Sequence, residues 1–302
     1  MKADLKEVSP QFTFRIDDPF NDFSQFVGDD PAKRAELDKW RTSLRAKMDL
    51  SEYRHAGRQW YQKAWQEVFA FMYDTSFYDR HAGRYRIEEY LDDGLREFGG
   101  YDVLLLWQSY PRLAIDSRNQ FDIYRDMPGG LPGLKDLVDR AHARDVRVFV
   151  NYNPWDTATR RPARSDGEEL AEIVAAIGAD GVFLDTMETL PPEFKAALEK
   201  ANPNFVFEPE GQPATSDLQT ITGAWLQGPT IRAANEIPPF LPTIRWLEPR
   251  FSYRGIVRTA TTMTEHLTTY FFNGCGQVIW ENIFGWWNPW PAKDRTLWRR
   301  CL

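Results

Sequence analysis

Short apolar runs alternate with longer amphipathic stretches from residue 66 onward, and this alternation predicts the fold. Strands are expected at 68–73, 103–107, 146–150, 182–184, 204–207, 223–226, 244–247 and 277–280. Helices are expected between them, at 86–98, 134–144, 168–177, 192–200 and 259–272. In the second of these, Leu134, Leu137, Val138 and Ala141 recur at the helical period. Apolar runs this short, bounded by Gly and by helices, read as buried parallel strands. Eight of them, most followed by a helix, predict an α/β protein with a closed parallel sheet, a (β/α)8 TIM barrel.

The first part of the chain has a different pattern. Residues 1–29 carry Pro10, Asp17, Asp18 and Pro19 among scattered Phe, an irregular arm. Asp30 and Pro31 form a helix start, with Asp as N-cap and Pro at the first helical position. The helix that follows bears Arg41, Arg45 and Lys47 and reads as an outer cover. The expected division is an arm and covering helix over 1–65 and the barrel over 66–302. The last helix is only begun, at 292–302, so either the N-terminal helix fills its place or the chain is a piece of a longer protein.

Carboxylates collect at the expected strand ends: Asp74, Asp156, Asp185, Glu208, Glu210, Glu248 and Glu281. In a (β/α)8 barrel the C-terminal strand ends form the active site. Residues two apart on a strand share a face, so Asp185 goes with Phe183 and Glu208 with Val206. Neighbouring strands lie about 4.8 Å apart, which allows the two carboxyl groups a separation of ~5–6 Å. That spacing suits a retaining glycosidase, with Asp185 as nucleophile and Glu208 as acid/base. Glu210 competes for the second role, because Pro209 can bend the strand end and bring it inward. An ion pair with Arg245 or Arg250 is the structural alternative for Glu208.

Composition narrows the partners. Of 302 residues 15% are aromatic, and Trp107, Trp155, Trp246, Trp280, Trp286 and Trp287 lie near strand ends or in loops. Such rings offer flat platforms for sugars, although about half are needed for the core. The net charge of -7 argues against a nucleic-acid groove. No apolar run approaches a bilayer span, and the first residues lack a secretory signal. Cys275 and Cys301 make neither a metal spacing nor a disulfide framework, so a cytoplasmic protein is expected. The four His, at 55, 81, 142 and 266, fall on helices or arms, against a metal hydrolase. No G-x-G-x-x-G fingerprint suggests a flavin or nicotinamide, and Glu248 and Glu281 stand where a phosphate-binding barrel keeps its anion site. No cofactor is expected.

The stretch from Gly130 to Val148, followed by Gly181-Val182-Phe183-Leu184-Asp185-Thr186, resembles the barrels of α-galactosidase-like and α-amylase-like glycoside hydrolases. In those families the nucleophilic Asp ends strand four, which the resemblance assigns to Asp185. The α-amylase-like and dextranase-like groups place the acid/base Glu at the end of strand five, matching Glu208. The α-galactosidase-like group uses an Asp after strand six, where residues 224–228 here hold no carboxylate. The chain also departs from α-amylases, with Phe183 in place of an Arg and with Asn151 and Asn153 in place of a His.

The sequence therefore points to retaining hydrolysis of a glycosidic bond. The residues expected to grip sugar are Asp74, Trp107, Asp116, Arg118, Asn151, Asn153, Trp155, Trp246, Glu248, Arg250, Trp280 and Glu281. The other reading is a carbohydrate-binding barrel without turnover, a module of a larger protein. The two differ in whether Asp185 and its partner carboxylate share one pocket or one of them is bound to an Arg.

Overall fold

The computed structural model describes residues 31–108, 117–156, 160–211, 213–227, 240–257 and 262–302. Its centre is an eight-stranded, all-parallel sheet. The strands are β1 Gln66–Phe71, β2 Val103–Trp107, β3 Arg147–Tyr152, β4 Gly181–Leu184, β5 Val206–Pro209, β6 Gly223–Gln227, β7 Ser252–Ile256 and β8 Gly276–Ile279. They pair in the order β5-β4-β3-β2-β1-β8-β7-β6. The two end strands lie against each other without a backbone ladder, which closes a (β/α)8 barrel along a seam. Pro209 sits at that seam, where its missing N–H costs no ladder bond.

Helices cover the outside: α1 Pro31–Arg45, α2 Ile87–Phe98, α3 Gln120–Arg125, α4 Gly130–His142, α5 Asp166–Ile177, α6 Pro192–Ala201, α7 Phe240–Leu247, α8 Thr264–Phe272 and α9 Ala292–Cys301. None of the described helices is long and apolar enough to cross a membrane. α5 starts from a capping box of Ser165 and Glu168 and ends on Gly178 in the left-handed region, φ +80. That turn delivers the chain straight into β4.

Strand alternation sorts the apolar side chains into two cores. Val68, Leu104, Leu106, Val148, Val150, Val182 and Leu184 face the helices. Phe69, Leu105, Trp107, Phe149, Phe183, Trp225 and Trp280 fill the barrel. Gly181 makes room for the Phe149 ring, which a Cβ there would strike. A 3₁₀ segment, Ala56–Lys63, precedes β1 and sends Tyr61 into the same interior, so the barrel floor comes from outside the repeating βα units.

Two expectations are corrected. Residues 244–247 are not the seventh strand: Ile244 and Leu247 are buried one helical turn apart in α7, and the strand follows at Ser252–Ile256. Between β2 and α4, where the sequence predicts no helix, there is one, α3, held by a capping box of Asn119 and Asp122.

Candidate active site

β4 and β5 run in register, Phe183 opposite Glu208 and Leu184 opposite Pro209. The ladder continues past its last pair, since the Glu210 N–H donates to the Leu184 carbonyl at 3.1 Å. On the other side the Asp185 N–H donates to the Tyr152 carbonyl at 2.9 Å. Asn153, Asp185 and Glu210 therefore occupy one row at the mouth, the first past the paired residues of β3, β4 and β5. Asp185 is buried and Glu210 half-buried.

The turn after Asp185 ties this row together. Thr186 has φ +58, an outlier for a β-branched residue and a form of strain that concentrates at functional sites. In that conformation its N–H reaches the Glu210 carboxylate, Thr186 N to Glu210 Oε2 being 2.7 Å. The second carboxylate is thus held one residue from the first. Asn153 is fully buried, its backbone bonded in both directions by the Gln120 side chain at 2.7 and 2.8 Å. Neither atom of its own side-chain amide has a hydrogen-bond partner among the described residues.

Glu208 stands one step deeper, at the level of Phe183. It is fully buried, paired with the Arg254 guanidinium and accepting the Tyr61 hydroxyl at 2.7 Å. Arg254 also donates to the Ala64 carbonyl at 3.2 Å, and Glu67 lies 4.0 Å from it. Two buried carboxylates thus share one guanidinium. Burial, then the Glu208 charge, pushes the Glu67 carboxyl well above the ordinary range. Glu67, Arg254 and Tyr61 were not singled out from the sequence. An ionisable residue inside an apolar strand, as at Glu67, was the available signal.

The other expected residues scatter. Asn151 is buried at the level of Phe183, with its backbone N–H and carbonyl both on the Tyr124 hydroxyl. Trp155 lies just past β3 and is 40% exposed. Arg118 pairs with Asp126 at 2.7 Å, and Asp116 lies outside the described residues. Trp246, Glu248 and Arg250 precede β7 and so belong to the opposite end of the barrel from the mouth. There Trp246 stacks on Trp40 of α1 at 5.9 Å, and Glu248 holds Arg250 at 2.7 Å and Arg45 at 3.2 Å. Trp107 and Trp280 are core rings, packed on the Phe69 ring at 4.5 and 4.4 Å and almost wholly buried.

Asp74 and Glu281 come together on the far side of the mouth. They line a cavity of about 260 Å³ between β1, β8 and α2. Asp74 accepts the Asn282 side chain, and Glu281 accepts the Trp290 N–H at 2.7 Å. Burial raises the Glu281 carboxyl above its usual value. Among the described residues no group of three or more His, Cys, Asp or Glu is arranged to hold a metal ion.

No protein-family model matches the chain, and no curated protein matches it in sequence. Solved structures do match. A debranching enzyme from Nostoc punctiforme is 12% identical over 80% of this chain and 79% of that one, with a TM-score of 0.51. A maltogenic amylase from S. marinus is 10% identical over 80% and 56%, also at 0.51. An α-N-acetylgalactosaminidase from Bifidobacterium bifidum, a quadruple mutant, is 14% identical over 87% and 55%, again at 0.51. The chain spans little more than half the length of the last two. At these identities the likeness is one of fold alone, the (β/α)8 barrel.

Proposed function

We propose that this protein hydrolyses a glycosidic bond with retention, using Asp185 as nucleophile and Glu210 as acid/base. The observation that carries this reading is the shared row of the two carboxylates, linked through the Thr186 N–H. A retaining site needs its carboxyl groups about 5–5.5 Å apart, and adjacent parallel strands supply such a spacing. The names of the similar folds, a debranching enzyme, an amylase and an N-acetylgalactosaminidase, agree with a carbohydrate substrate.

In the first step an Asp185 oxygen bonds to the anomeric carbon. The glycosidic C–O bond breaks with its electron pair on the leaving oxygen, which takes the Glu210 proton. In the second step Glu210 removes a proton from water, whose oxygen attacks the anomeric carbon and frees the Asp185 carboxylate. The Asn153 amide, with donor and acceptor both open, suits a ring hydroxyl. Glu208 belongs beneath this chemistry, as counter-charge to Arg254.

The same Glu208–Arg254 pair favours the second reading, a sugar-binding barrel without turnover, if Glu208 is the carboxylate on which hydrolysis depends. A screen of aryl glycosides of both anomers separates the two readings. Turnover is expected for one anomer, and Asp185→Asn should lower kcat by about 10³-fold or more with an unchanged melting temperature. Sugar binding without turnover, or undiminished activity in the variant, overturns the assignment.

A further inference from the structure

The mouth is not open all round. After β8 the chain folds back as a two-residue ladder, Asn282 opposite Trp287 and Ile283 opposite Trp286. At its tip Phe284 and Gly285 both have positive φ, +51 and +92. For a residue with a Cβ that conformation is strained, so something must hold Phe284 there. The tip is tied by the Gly285 N–H to Asn282 Oδ1 at 2.6 Å, and the Trp280 indole donates to the Asn282 carbonyl at 2.6 Å. The ring itself packs on the barrel interior, 4.9 Å from Trp280, 5.8 Å from Trp107 and 6.2 Å from Phe69, centroid to centroid.

Trp280 directly follows β8 and the other two rings lie on β2 and β1, whereas Asp185 and Glu210 directly follow β4 and β5. Phe284 is 38% exposed, so its ring both closes the interior stack and remains part of the mouth surface. Beside it Trp286 and Trp287 are 57% and 60% exposed, which extends the obstruction outward. A ligand seated on the carboxylate row meets this hairpin in the direction of β8, β1 and β2.

Building on the glycosidase reading, we infer that the site is blind on the β8–β1–β2 side and takes the terminal sugar of a chain. Phe284 is the specificity-determining wall that stops the chain from continuing past that sugar.

The test uses an oligosaccharide of the linkage found in the aryl-glycoside screen, either free or capped at its non-reducing end. The wild-type protein should release single sugars from the free form and leave the capped form intact. Phe284→Gly removes the wall and relieves the positive φ, so the fold should be kept, with a melting temperature lowered by the lost contacts of the ring with Trp280, Trp107 and Phe69. Its capped-to-free ratio of kcat/KM should rise about tenfold or more. Hydrolysis of capped chains by the wild type, or an unchanged ratio in the variant, overturns the inference and leaves the glycosidase reading standing. Failure on every aryl glycoside overturns that reading and this inference with it.

Discussion

Glu208 and Glu210 are separated by one proline, and strand periodicity puts them on one face, yet they meet opposite surroundings. Glu210 ends a strand at the mouth with a backbone N–H on its carboxylate, and Glu208 lies in the closed interior against Arg254. Sequence alone could not separate them, because the choice depends on the register of β5 against β4 and on an Arg 46 residues further on. The buried partner Glu67 has a consequence for stability. Its carboxyl is raised in the folded state by burial and by Glu208, with Arg254, Tyr61 and the Trp225 indole as its other neighbours. A group raised on folding gives its full stabilisation below its unfolded pKa of about 4.3 and loses it as pH climbs through the folded value. Melting temperature should therefore fall as the pH is raised above about 5, and Glu67→Gln, which keeps a neutral side chain there, should flatten that fall. Melting curves in a pH series check this; parallel slopes in the two proteins would contradict the raised Glu67 carboxyl.

At the scale of elements, the strands most legible in the sequence are those with a continuous apolar run, such as β2 and β3. β7 escaped because it reads Ser252, Tyr253, Arg254, Gly255, Ile256, in which the Arg and the Gly break the run. Each serves one face of the sheet: Arg254 neutralises Glu208 inside the barrel, and Gly255 leaves room for the Tyr270 ring of α8 on the outer side. The apolar residues just before it looked like a strand and are a helix, because the seven to eight residues available there do not distinguish the two periods. β6 has a similar device. A Cβ on Gly223 would meet the Ser252 carbonyl oxygen and the Tyr61 hydroxyl. Gly223→Ala should thus displace the floor of the barrel and cost about 1–3 kcal/mol, read as a lowered midpoint in urea. A midpoint equal to wild type would mean that the floor is looser than this packing implies.

For the whole molecule, the interior is closed at both ends by pieces that are not barrel strands. Tyr61 enters from the 3₁₀ segment before β1, and Phe284 enters from the hairpin after β8. The eightfold alternation was legible as a barrel, because burial on both faces gives parallel strands their apolar runs. The plugs were not legible, since a loop aromatic carries no sign of where it will pack. Among the described residues, the plugs leave the sector of β3, β4 and β5 at the mouth. The claim at the centre is that Asp185 works with Glu210, and rescue by azide tests it most directly. With an aryl glycoside of good leaving ability, Glu210→Ala should be accelerated by azide and give a glycosyl azide of retained configuration, since azide, a nucleophile that needs no general base, attacks the glycosyl–Asp185 intermediate in place of water and frees the Asp185 carboxylate. Glu208→Ala should show no acceleration and a lowered melting temperature, because Arg254 loses its partner. Azide rescue of Glu208→Ala, with none for Glu210→Ala, would contradict the account.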